Sequence, residues 1–364
     1  MLGRKRPPRL LLIFSALGGT LLLGGCSLDG PQSIFNTAGP VARDQVDLFI
    51  FIFWLATVVF IVVIGALGYA IFKYRRRGDD EGEVPEQIHG VAWLEALWTA
   101  APAVILVIIA VPTVRLVFSQ ESRVTPTGDD LVVNVTGYQW WWEFEYPELG
   151  VTTANELHIP TDRRVVLNLT SGDVLHSFWV PRIAGKRDLI PNQDNQLWLT
   201  ADEPGLYRGQ CAELCLGAHA YMRFRVIASD DAEFDTWAAT FEPSALQQVQ
   251  AVPVDEQVAA GQALFKTKGC ANCHAVSGYA QGQGAPNLTN FGVRTSLAAG
   301  VADNTPANLA RWLRNPQELK PGNLMPTLWA ADDPDREDEI AALVAYLESL
   351  GTEPELAATT QAGR

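Results

Sequence analysis

The chain has 364 residues, which is enough for two or three domains of ordinary size. It carries 27 Lys and Arg against 41 Asp and Glu, and the resulting net charge of −14 argues against nucleic acid as a partner. Only five cysteines and three methionines are present. Each of them fits a role described below, so no cysteine pair is left over for a structural disulfide.

The first 25 residues have the organisation of an export signal. Residues 4–9 carry four basic side chains, an apolar core follows over Leu10–Leu23, and the segment ends on Gly24-Gly25-Cys26. This ending resembles a bacterial lipoprotein box, in which the cysteine is lipidated and becomes the new N-terminus. The alternative is an ordinary first transmembrane helix with a free thiol. Because the apolar core is short for a bilayer, we predict a signal peptide over 1–25 and lipidation at Cys26.

Two long apolar stretches lie within residues 26–118. They cover about 48–72 and 94–118, and each is long enough to span a bilayer as a helix. The basic residues at 73–77 directly follow the first stretch and mark the cytoplasmic side. The sequence therefore predicts a two-helix transmembrane hairpin with both termini outside the cytoplasm. Everything after Ser119 then lies on the outer side of the membrane.

From residue 119 to about 245 the pattern changes to short β-strands. The clearest runs are Leu131–Val135, Arg164–Leu169, Gln196–Thr200 and Met222–Val226. Several short strands without helical periods between them indicate a Greek-key sandwich or barrel. Residues 119–245 contain 9 basic and 19 acidic side chains, a net charge of −10. Solubility explains part of this charge, and an acidic surface would also steer a cationic partner.

The loop before the last of these runs gathers soft metal ligands. Gln210–Met222 contains two thiols, an imidazole and a thioether, and a second imidazole lies upstream; the residues are Cys211, Cys215, His219, Met222 and His176. This set suits copper among the first-row metals, whereas zinc has little use for a thioether. The alternative, a disulfide between the two cysteines, explains neither the histidine nor the methionine.

Three adjacent tryptophans, Trp140–Trp142, stand in an aromatic run over Gly137–Tyr146. Large aromatics at alternate positions are typical of a strand that faces a core. Successive side chains of a strand point to opposite faces, so the three cannot all enter one core. We therefore expect at least one of them to be exposed.

The C-terminal part, residues 246–364, begins with a Gln-rich linker and then carries Cys270-Ala-Asn-Cys273-His274, the spacing for covalent haem c attachment. His274 is placed to ligate the iron, and Met325 offers the second axial ligand, a combination that raises the haem potential. A Cys-x-x-Cys redox pair is the alternative, and it leaves both His274 and Met325 unexplained. Helical periodicity flanks these residues over Val254–Lys268 and Glu337–Leu350. This part resembles a small all-α class I cytochrome c.

The pattern Cys-x-Glu-x-Cys-x-x-x-His-x-x-Met after an upstream His resembles the binuclear CuA site of subunit II of haem–copper cytochrome c oxidases. The resemblance implies that the thiolates of Cys211 and Cys215 bridge two coppers. It also implies that the imidazoles of His176 and His219 cap the pair. Met222 would be a weak thioether ligand, and Glu213 would contribute its backbone carbonyl. Such a cluster transfers single electrons with little change of geometry. One departure is Leu216, which stands where the family usually has glycine. The resemblance also makes 119–245 a cupredoxin domain.

The same resemblance assigns three further roles. Trp140 matches the tryptophan through which electrons enter the copper domain. The Glu213 side chain matches a ligand of a magnesium ion at the border with subunit I. Glu95, in the segment Leu94–Pro102, matches a glutamate at the mouth of a proton pathway, and the alternative is a solvated helix end.

Taken together, these features indicate a multidomain membrane protein: a two-helix hairpin, an all-β cupredoxin domain and an all-α cytochrome c domain. The resemblance implies a caa-type terminal-oxidase subunit in the bacterial inner membrane. It would take electrons from cytochrome c, or from a quinol–cytochrome c reductase, at its own haem c. They would pass through CuA to subunit I, which reduces O2 to water with proton pumping, and subunit III is a further expected partner.

The chain is not expected to reduce oxygen alone. Of its five histidines three are already assigned, and His89 and His158 cannot build haem ligands together with a second copper centre. Two other functions stay open on the sequence. One is the accessory subunit of a copper-containing nitric oxide reductase, which the substrate of the purified complex would distinguish. The other is a membrane-tethered electron carrier or copper store, and the transmembrane hairpin argues against it because a lipid anchor alone would serve.

Overall fold

The computed structural model describes residues 29–75, 87, 90–241 and 255–351. The predicted signal peptide over 1–25 and Cys26 lie outside these residues, as does the predicted linker over 242–252. Lipidation of Cys26 therefore stays a prediction.

Two long helices precede the soluble domains. Helix α1 covers Pro40–Lys73 and helix α2 covers Ala92–Glu121, so the predicted spans of 48–72 and 94–118 lie inside them. Both are long and apolar enough to cross a membrane. Proline at the first position of α1 fits because the first amide of a helix needs no intrahelical partner. Large apolar side chains are exposed along both helices, and such a continuous surface calls for lipid or a partner protein.

The middle of the chain folds into a sandwich of ten strands. The strands are β1 (Leu131–Tyr138), β2 (Trp141–Tyr146), β3 (Val151–Ala154), β4 (Glu156–Pro160), β5 (Val165–Ser171), β6 (His176–Trp179), β7 (Lys186–Leu189), β8 (Asn195–Leu199), β9 (Gly205–Cys211) and β10 (Arg223–Ser229). They form two five-stranded sheets, in the orders β3-β2-β1-β5-β8 and β4-β10-β9-β6-β7. Alternate residues of β1 are buried, as expected for a strand with one face on a core. The sequence did not identify β9, whose end places the first cysteine.

The core of the sandwich is aromatic. Trp142, Phe178 and Phe224 are fully buried, and their rings meet at centroid distances of 4.5–5.7 Å. Aromatic contacts of this kind add to the free energy gained by burial alone. The ring of His176 lies 6.1 Å from that of Trp142, so the packed core fixes the position of a predicted metal ligand. A short helix α3 (Asp231–Ala239) closes this part of the chain.

The C-terminal domain is built on two packed helices. Its elements are α4 (Glu256–Thr267), β11 (Ala275–Val276), β12 (Ala280–Gln281), β13 (Ser296–Leu297), β14 (Ala302–Asp303), α5 (Pro306–Arg314), α6 (Pro316–Leu319) and α7 (Arg336–Ser349). Phe265 of α4 and Leu343 and Leu347 of α7 are buried together in its core. Helices α4 and α7 coincide closely with the periodic segments seen in the sequence.

The expectation that one of the three tryptophans is exposed is wrong. Trp142 is fully buried in the sandwich, while Trp140 and Trp141 are only 9% and 8% exposed. The reason is that the C-terminal domain packs onto this part of the sandwich. Trp141 lies against Ala299 of that domain, and its other neighbours are Ala154 and Tyr138. Trp141 and Trp142 do point to opposite faces of β2, as expected for neighbours on a strand. The face that carries Trp141 is covered by the second domain.

Candidate metal centres

The predicted copper ligands converge at one end of the sandwich. Cys211 ends β9, His176 begins β6, and these two strands are hydrogen-bonded neighbours. Cys211 Sγ lies 3.9 Å from His176 Nδ1 and 3.9 Å from Cys215 Sγ. A disulfide needs a separation of about 2.05 Å, so the two sulfurs are not bonded to each other. Their ligand atoms and the imidazole nitrogen all lie within 4.8 Å of one another.

The remaining donors complete the set around Cys215. His219 Nδ1 lies 3.4 Å and Met222 Sδ 3.8 Å from Cys215 Sγ. The Glu213 carbonyl oxygen lies 3.2 Å from Cys211 Sγ. Two thiols, two imidazole nitrogens, a thioether and a carbonyl thus face one small volume. Among metals this donor chemistry fits copper, and a pair of sulfurs between two histidines fits a binuclear centre.

One of the two thiols is prepared to lose its proton, and the other is held back. A hydrogen bond from Cys215 lowers the pKa of Cys211 to about 4, against the opposing effect of burial. The pKa of Cys215 is raised, because it shares its proton with that thiolate and because it is buried. The pair therefore carries one negative charge without a metal, and metal binding displaces the second proton.

Asp173 orients the buried histidine. His176 Nε2 donates a hydrogen bond of 2.8 Å to Asp173 Oδ1, so the lone pair of Nδ1 points towards Cys211. Asp173 is itself held by the backbone N–H groups of Gln139 and Val174, each at 2.6 Å. Although burial lowers the pKa of His176, Cys211 and Asp173 raise it by a larger amount. Asp173 was not predicted from the sequence, although its position three residues before the histidine could have suggested it.

The departure at Leu216 is accommodated by the backbone. Leu216 and Gly217 both adopt a left-handed conformation, with φ of 64° and 40°. Leucine rarely takes this conformation, which costs about 1–2 kcal/mol. At Gly217 a side chain is excluded for a second reason, because a Cβ there would lie 2.0 Å from the Trp140 ring. The turn that the family usually makes with glycine is therefore present, with strain at Leu216.

The C-terminal domain contains an apolar cavity whose walls carry the predicted haem ligands. Cys270, Cys273, His274 and Met325 all line it. Most of its other lining surface is apolar, contributed among others by Leu288, Phe291, Leu309, Leu313 and Leu343. The His274 Nδ1–H donates a hydrogen bond of 2.8 Å to the Pro286 carbonyl, which leaves Nε2 as the ligand atom. An apolar cavity with two thiols, an oriented imidazole and a thioether fits a covalently attached haem.

A buried arginine in the same wall provides a further test of this fit. Arg294 is 7% exposed, and its Nη2 donates to the Asn287 carbonyl at 2.5 Å and to Asn290 Oδ1 at 2.9 Å. Its Nε has no partner among the described residues. Burial lowers the pKa of Arg294 to about 10, so it stays charged near neutral pH. An unpartnered cationic N–H in an apolar wall fits an anionic substituent, and the carboxylates of a haem are such groups.

The two centres meet at Trp140. Its Nε1 donates a hydrogen bond of 3.0 Å to the Cys215 carbonyl, and its own carbonyl accepts one of 2.5 Å from Lys320 Nζ. Trp140 and Lys320 also line the haem cavity. The segment Gln210–Met222, which carries most of the predicted copper ligands, is called the copper loop. The backbone before Met325 comes close to this loop at Gly322, which has a φ of 83°. A Cβ on Gly322 would lie 3.3 Å from Ala218 N. Burial lowers the pKa of Lys320 to about 7.

The other two predicted sites occupy less enclosed positions. Glu95 lies in the first turn of α2, at the end where the sequence predicts the cytoplasm. The Glu213 side chain is exposed, while its carbonyl faces Cys211. Leu214 and Leu216 next to it are 70% and 66% exposed. The copper loop thus presents an apolar surface with one carboxylate.

The fold and the two centres define a class: a membrane-anchored protein that joins a cupredoxin-type domain to a cytochrome c-type domain. Comparison with known families gives the same division. Residues 30–116 match the transmembrane domain of cytochrome c oxidase subunit II, 149–229 match its periplasmic domain, and 258–351 match cytochrome c.

Individual relatives agree over most of the length. The chain is 40% identical over 336 residues to cytochrome c oxidase subunit 2 of Alkalihalophilus pseudofirmus, covering 91% of this chain and 94% of the relative. It is 37% identical to the subunit of the same name from Bacillus subtilis, with coverages of 95% and 98%. Quinol oxidase subunit 2 of Bacillus spizizenii is 35% identical over 234 residues. This match covers only 62% of this chain and 71% of the relative.

A solved structure is similar to part of the chain. It is the periplasmic domain of subunit II of cytochrome oxidase (CoxB) of Bradyrhizobium japonicum, at 31% identity and a TM-score of 0.31. The match covers 32% of this chain and 96% of that one. The chain belongs to the cytochrome c oxidase subunit 2 family. It is a terminal-oxidase subunit with a C-terminal cytochrome c domain, and it associates with the membrane and with other oxidase subunits.

Proposed function

We propose that this subunit carries electrons through two metal centres in series. Cys270 and Cys273 would attach a haem c, and His274 and Met325 would ligate its iron. This group would supply the entry point for electrons from cytochrome c or a quinol–cytochrome c reductase. Trp140 connects it to a binuclear copper centre. The copper ligands are His176, Cys211, Glu213, Cys215, His219 and Met222. From there electrons pass to subunit I, which reduces O2 to water and pumps protons, with subunit III in the same complex.

The observation that carries this proposal is the position of Trp140. It lines the haem cavity, and its Nε1 is hydrogen-bonded to the carbonyl of Cys215. One side chain therefore contacts both the haem site and a copper ligand. It is 9% exposed, so water is largely excluded from this contact. A short, dry and hydrogen-bonded connection favours electron transfer with little reorganisation of solvent.

When bound, the two groups supply one-electron redox chemistry, and the chain positions them. Asp173 and the Pro286 carbonyl each fix the tautomer of one ligating imidazole, at His176 and His274. The sandwich core holds His176 and Cys211 on neighbouring strands, which keeps the ligand geometry constant between redox states. Arg294 would offset the charge of the haem carboxylates.

The exposed face of the copper loop is the proposed contact with subunit I. Leu214 and Leu216 are apolar and largely exposed there, which is typical of a protein interface. The Glu213 carboxylate, next to Leu214 in the chain, is proposed as a ligand of a shared magnesium ion. At the opposite, cytoplasmic end of the hairpin, Glu95 is proposed to lie at the mouth of a proton pathway.

The test is to photoreduce haem c in the purified complex and follow the absorbance of the copper centre. Trp140→Phe keeps an aromatic ring but loses the donor to Cys215. We expect it to slow haem-to-copper electron transfer. Trp198→Phe, a half-buried tryptophan on β8 that lies outside the haem cavity, is the matched control and should keep the normal rate. Equal rates in the two variants would contradict the proposed path.

The reaction of the complex tests the rest of the proposal. The purified complex should consume oxygen rather than nitric oxide. The isolated chain should accept electrons without any oxygen uptake, since it lacks the histidines for a catalytic haem–copper site. Turnover with oxygen by the isolated chain would contradict this account.

A further inference from the structure

A buried carboxylate of the copper domain points into the cytochrome c domain. Glu156 on β4 is 1% exposed, and side chains of this type are seldom so buried without partners. Its partners all belong to the other domain. The carboxylate accepts hydrogen bonds from Thr295 N at 3.0 Å, from Thr295 Oγ1 at 2.7 Å and from Ser296 Oγ at 2.6 Å. Hydrogen bonds to a charged acceptor are among the strongest available to a protein.

The donors lie at the start of a small hairpin that forms the centre of this contact. Strands β13 and β14 are joined by residues 298–301, of which Ala298, Ala299 and Gly300 are in the left-handed region. Ala299 is 2% exposed because it packs against Trp141, and its carbonyl accepts a hydrogen bond of 3.2 Å from the backbone N–H of Arg223. The hairpin thus meets the copper domain through side chains, backbone and apolar surface together.

Two further contacts extend the interface on either side. The Arg225 guanidinium donates to the Thr295 carbonyl at 3.0 Å and to Asp303 at 2.5 Å. Lys320 of the cytochrome c domain is 4% exposed and donates to the Trp140 carbonyl. Each domain therefore buries an ionisable side chain whose partners lie wholly or partly in the other domain. Such reciprocal pairing is satisfied in one relative orientation only.

Overall charge does not account for this contact. The copper domain, 119–245, has a net charge of −10, and the described cytochrome c residues, 255–351, contain 7 basic and 11 acidic side chains, a net charge of −4. Two acidic bodies repel at long range. What holds them together must therefore be short-range hydrogen bonds and apolar packing.

We propose that Glu156 and the segment Thr295–Asp303, which contains the hairpin, form a latch that keeps the cytochrome c domain docked on the copper domain in one orientation. The domain is then a fixed part of the electron path and not a mobile tethered carrier. This inference deepens the proposed function by specifying how the haem site is held at Trp140. Its test uses no electron transfer, so a failure of the latch and a failure of the electron path are separate results.

The test is amide hydrogen exchange of the full-length protein in detergent, with its metal centres loaded. The Arg223 N–H reports docking, because it is in the copper domain and donates to Ala299 in the other. In Glu156→Ala the buried donors lose their acceptor, and we expect this amide to exchange about 5- to 150-fold faster. Glu148→Ala removes the same charge from an exposed position of the copper domain and should leave the rate unchanged.

A second variant removes the donors from the other side. This hairpin variant, Thr295→Val combined with Ser296→Ala, should accelerate hydrogen exchange at the Arg223 amide by a similar factor. Combining it with Glu156→Ala should add little further acceleration, because both changes remove the same contact. Amides within the sandwich, such as Val226 N–H, should keep their rates in the hairpin variant.

The outcomes separate clearly. If Glu156→Ala accelerates amide exchange throughout the sandwich, the substitution has damaged the fold. The exchange rate of the Arg223 amide in the hairpin variant then shows whether the latch exists. If neither variant changes the exchange of Arg223 relative to Glu148→Ala, the latch does not exist.

Discussion

Asp173 gives the sharpest test of how the chain controls the copper centre. Its Oδ1 accepts a hydrogen bond of 2.8 Å from His176 Nε2, and this contact directs Nδ1 towards Cys211. We predict that Asp173→Ala weakens copper binding, because the imidazole loses the partner that fixes its tautomer and ring orientation.

The size of the effect follows from this geometry. A group that accepts the hydrogen bond of a ligating histidine typically contributes 10- to 100-fold in metal affinity, or about 1.4–2.7 kcal/mol. Asp173→Asn keeps the shape and an acceptor oxygen but removes the charge, so we expect the lower end of this range. Asp173→Ala should reach the upper end, since the acceptor is lost as well.

The assay is copper affinity of the full-length protein, measured by competition with a chelator of known strength. Asp188→Ala is the matched control, because this exposed aspartate contributes its backbone carbonyl, and not its carboxylate, to the hydrogen bond with Asn195. If Asp173→Ala binds copper as tightly as Asp188→Ala, the proposed orientation of the histidine is wrong.

Three further predictions concern the sandwich, and each is measured as a free energy of unfolding. Leu216→Gly should stabilise the fold by up to about 1 kcal/mol, because relief of the left-handed strain outweighs the entropy cost of glycine, and the reverse sign would contradict it. Trp142→Ala should cost about 3–5 kcal/mol, since this side chain is fully buried in the aromatic core, and a loss below about 1 kcal/mol would exclude that role. Hydrogen bonds from Arg164 lower the pKa of Asp130 from 3.8 to about 2, so the ion pair stabilises the fold above pH 3.8, and this contribution is lost as the pH falls through 2. Because Arg164 is 38% exposed, Asp130→Asn should cost only about 1 kcal/mol at pH 7 and nothing below pH 2, and a pH-independent difference would refute the assignment.

The sequence predicted those features that depend on local chemistry. The haem-attachment residues could be identified from spacing alone in Cys270-Ala-Asn-Cys273-His274, because covalent attachment of a haem requires this spacing. The two apolar helices could be predicted because a helix that crosses a bilayer needs a long, continuous apolar stretch, which is recognisable in the sequence. Strand β9 was missed because its residues, Gly205–Cys211, contain two glycines and an arginine and show little alternation.

The contacts between domains could not be predicted in the same way. Glu156 and Ser296 are 140 positions apart, and nothing near either residue indicates the other. Trp141 was expected on one of two faces of a strand, and only the docked domain explains why both faces are buried. Lys320 and Trp140 are separated by 180 positions. Long-range pairs of this kind depend on the completed fold, and a single sequence carries no local signal for them.

The central claim is that one chain holds a binuclear copper centre and a haem c side by side. The most direct measurement is the metal content of the purified full-length protein. The account predicts two copper ions and one haem iron per chain. Zinc in place of copper, or iron without copper, would contradict it, because the ligands around Cys211 and Cys215 would then serve another purpose.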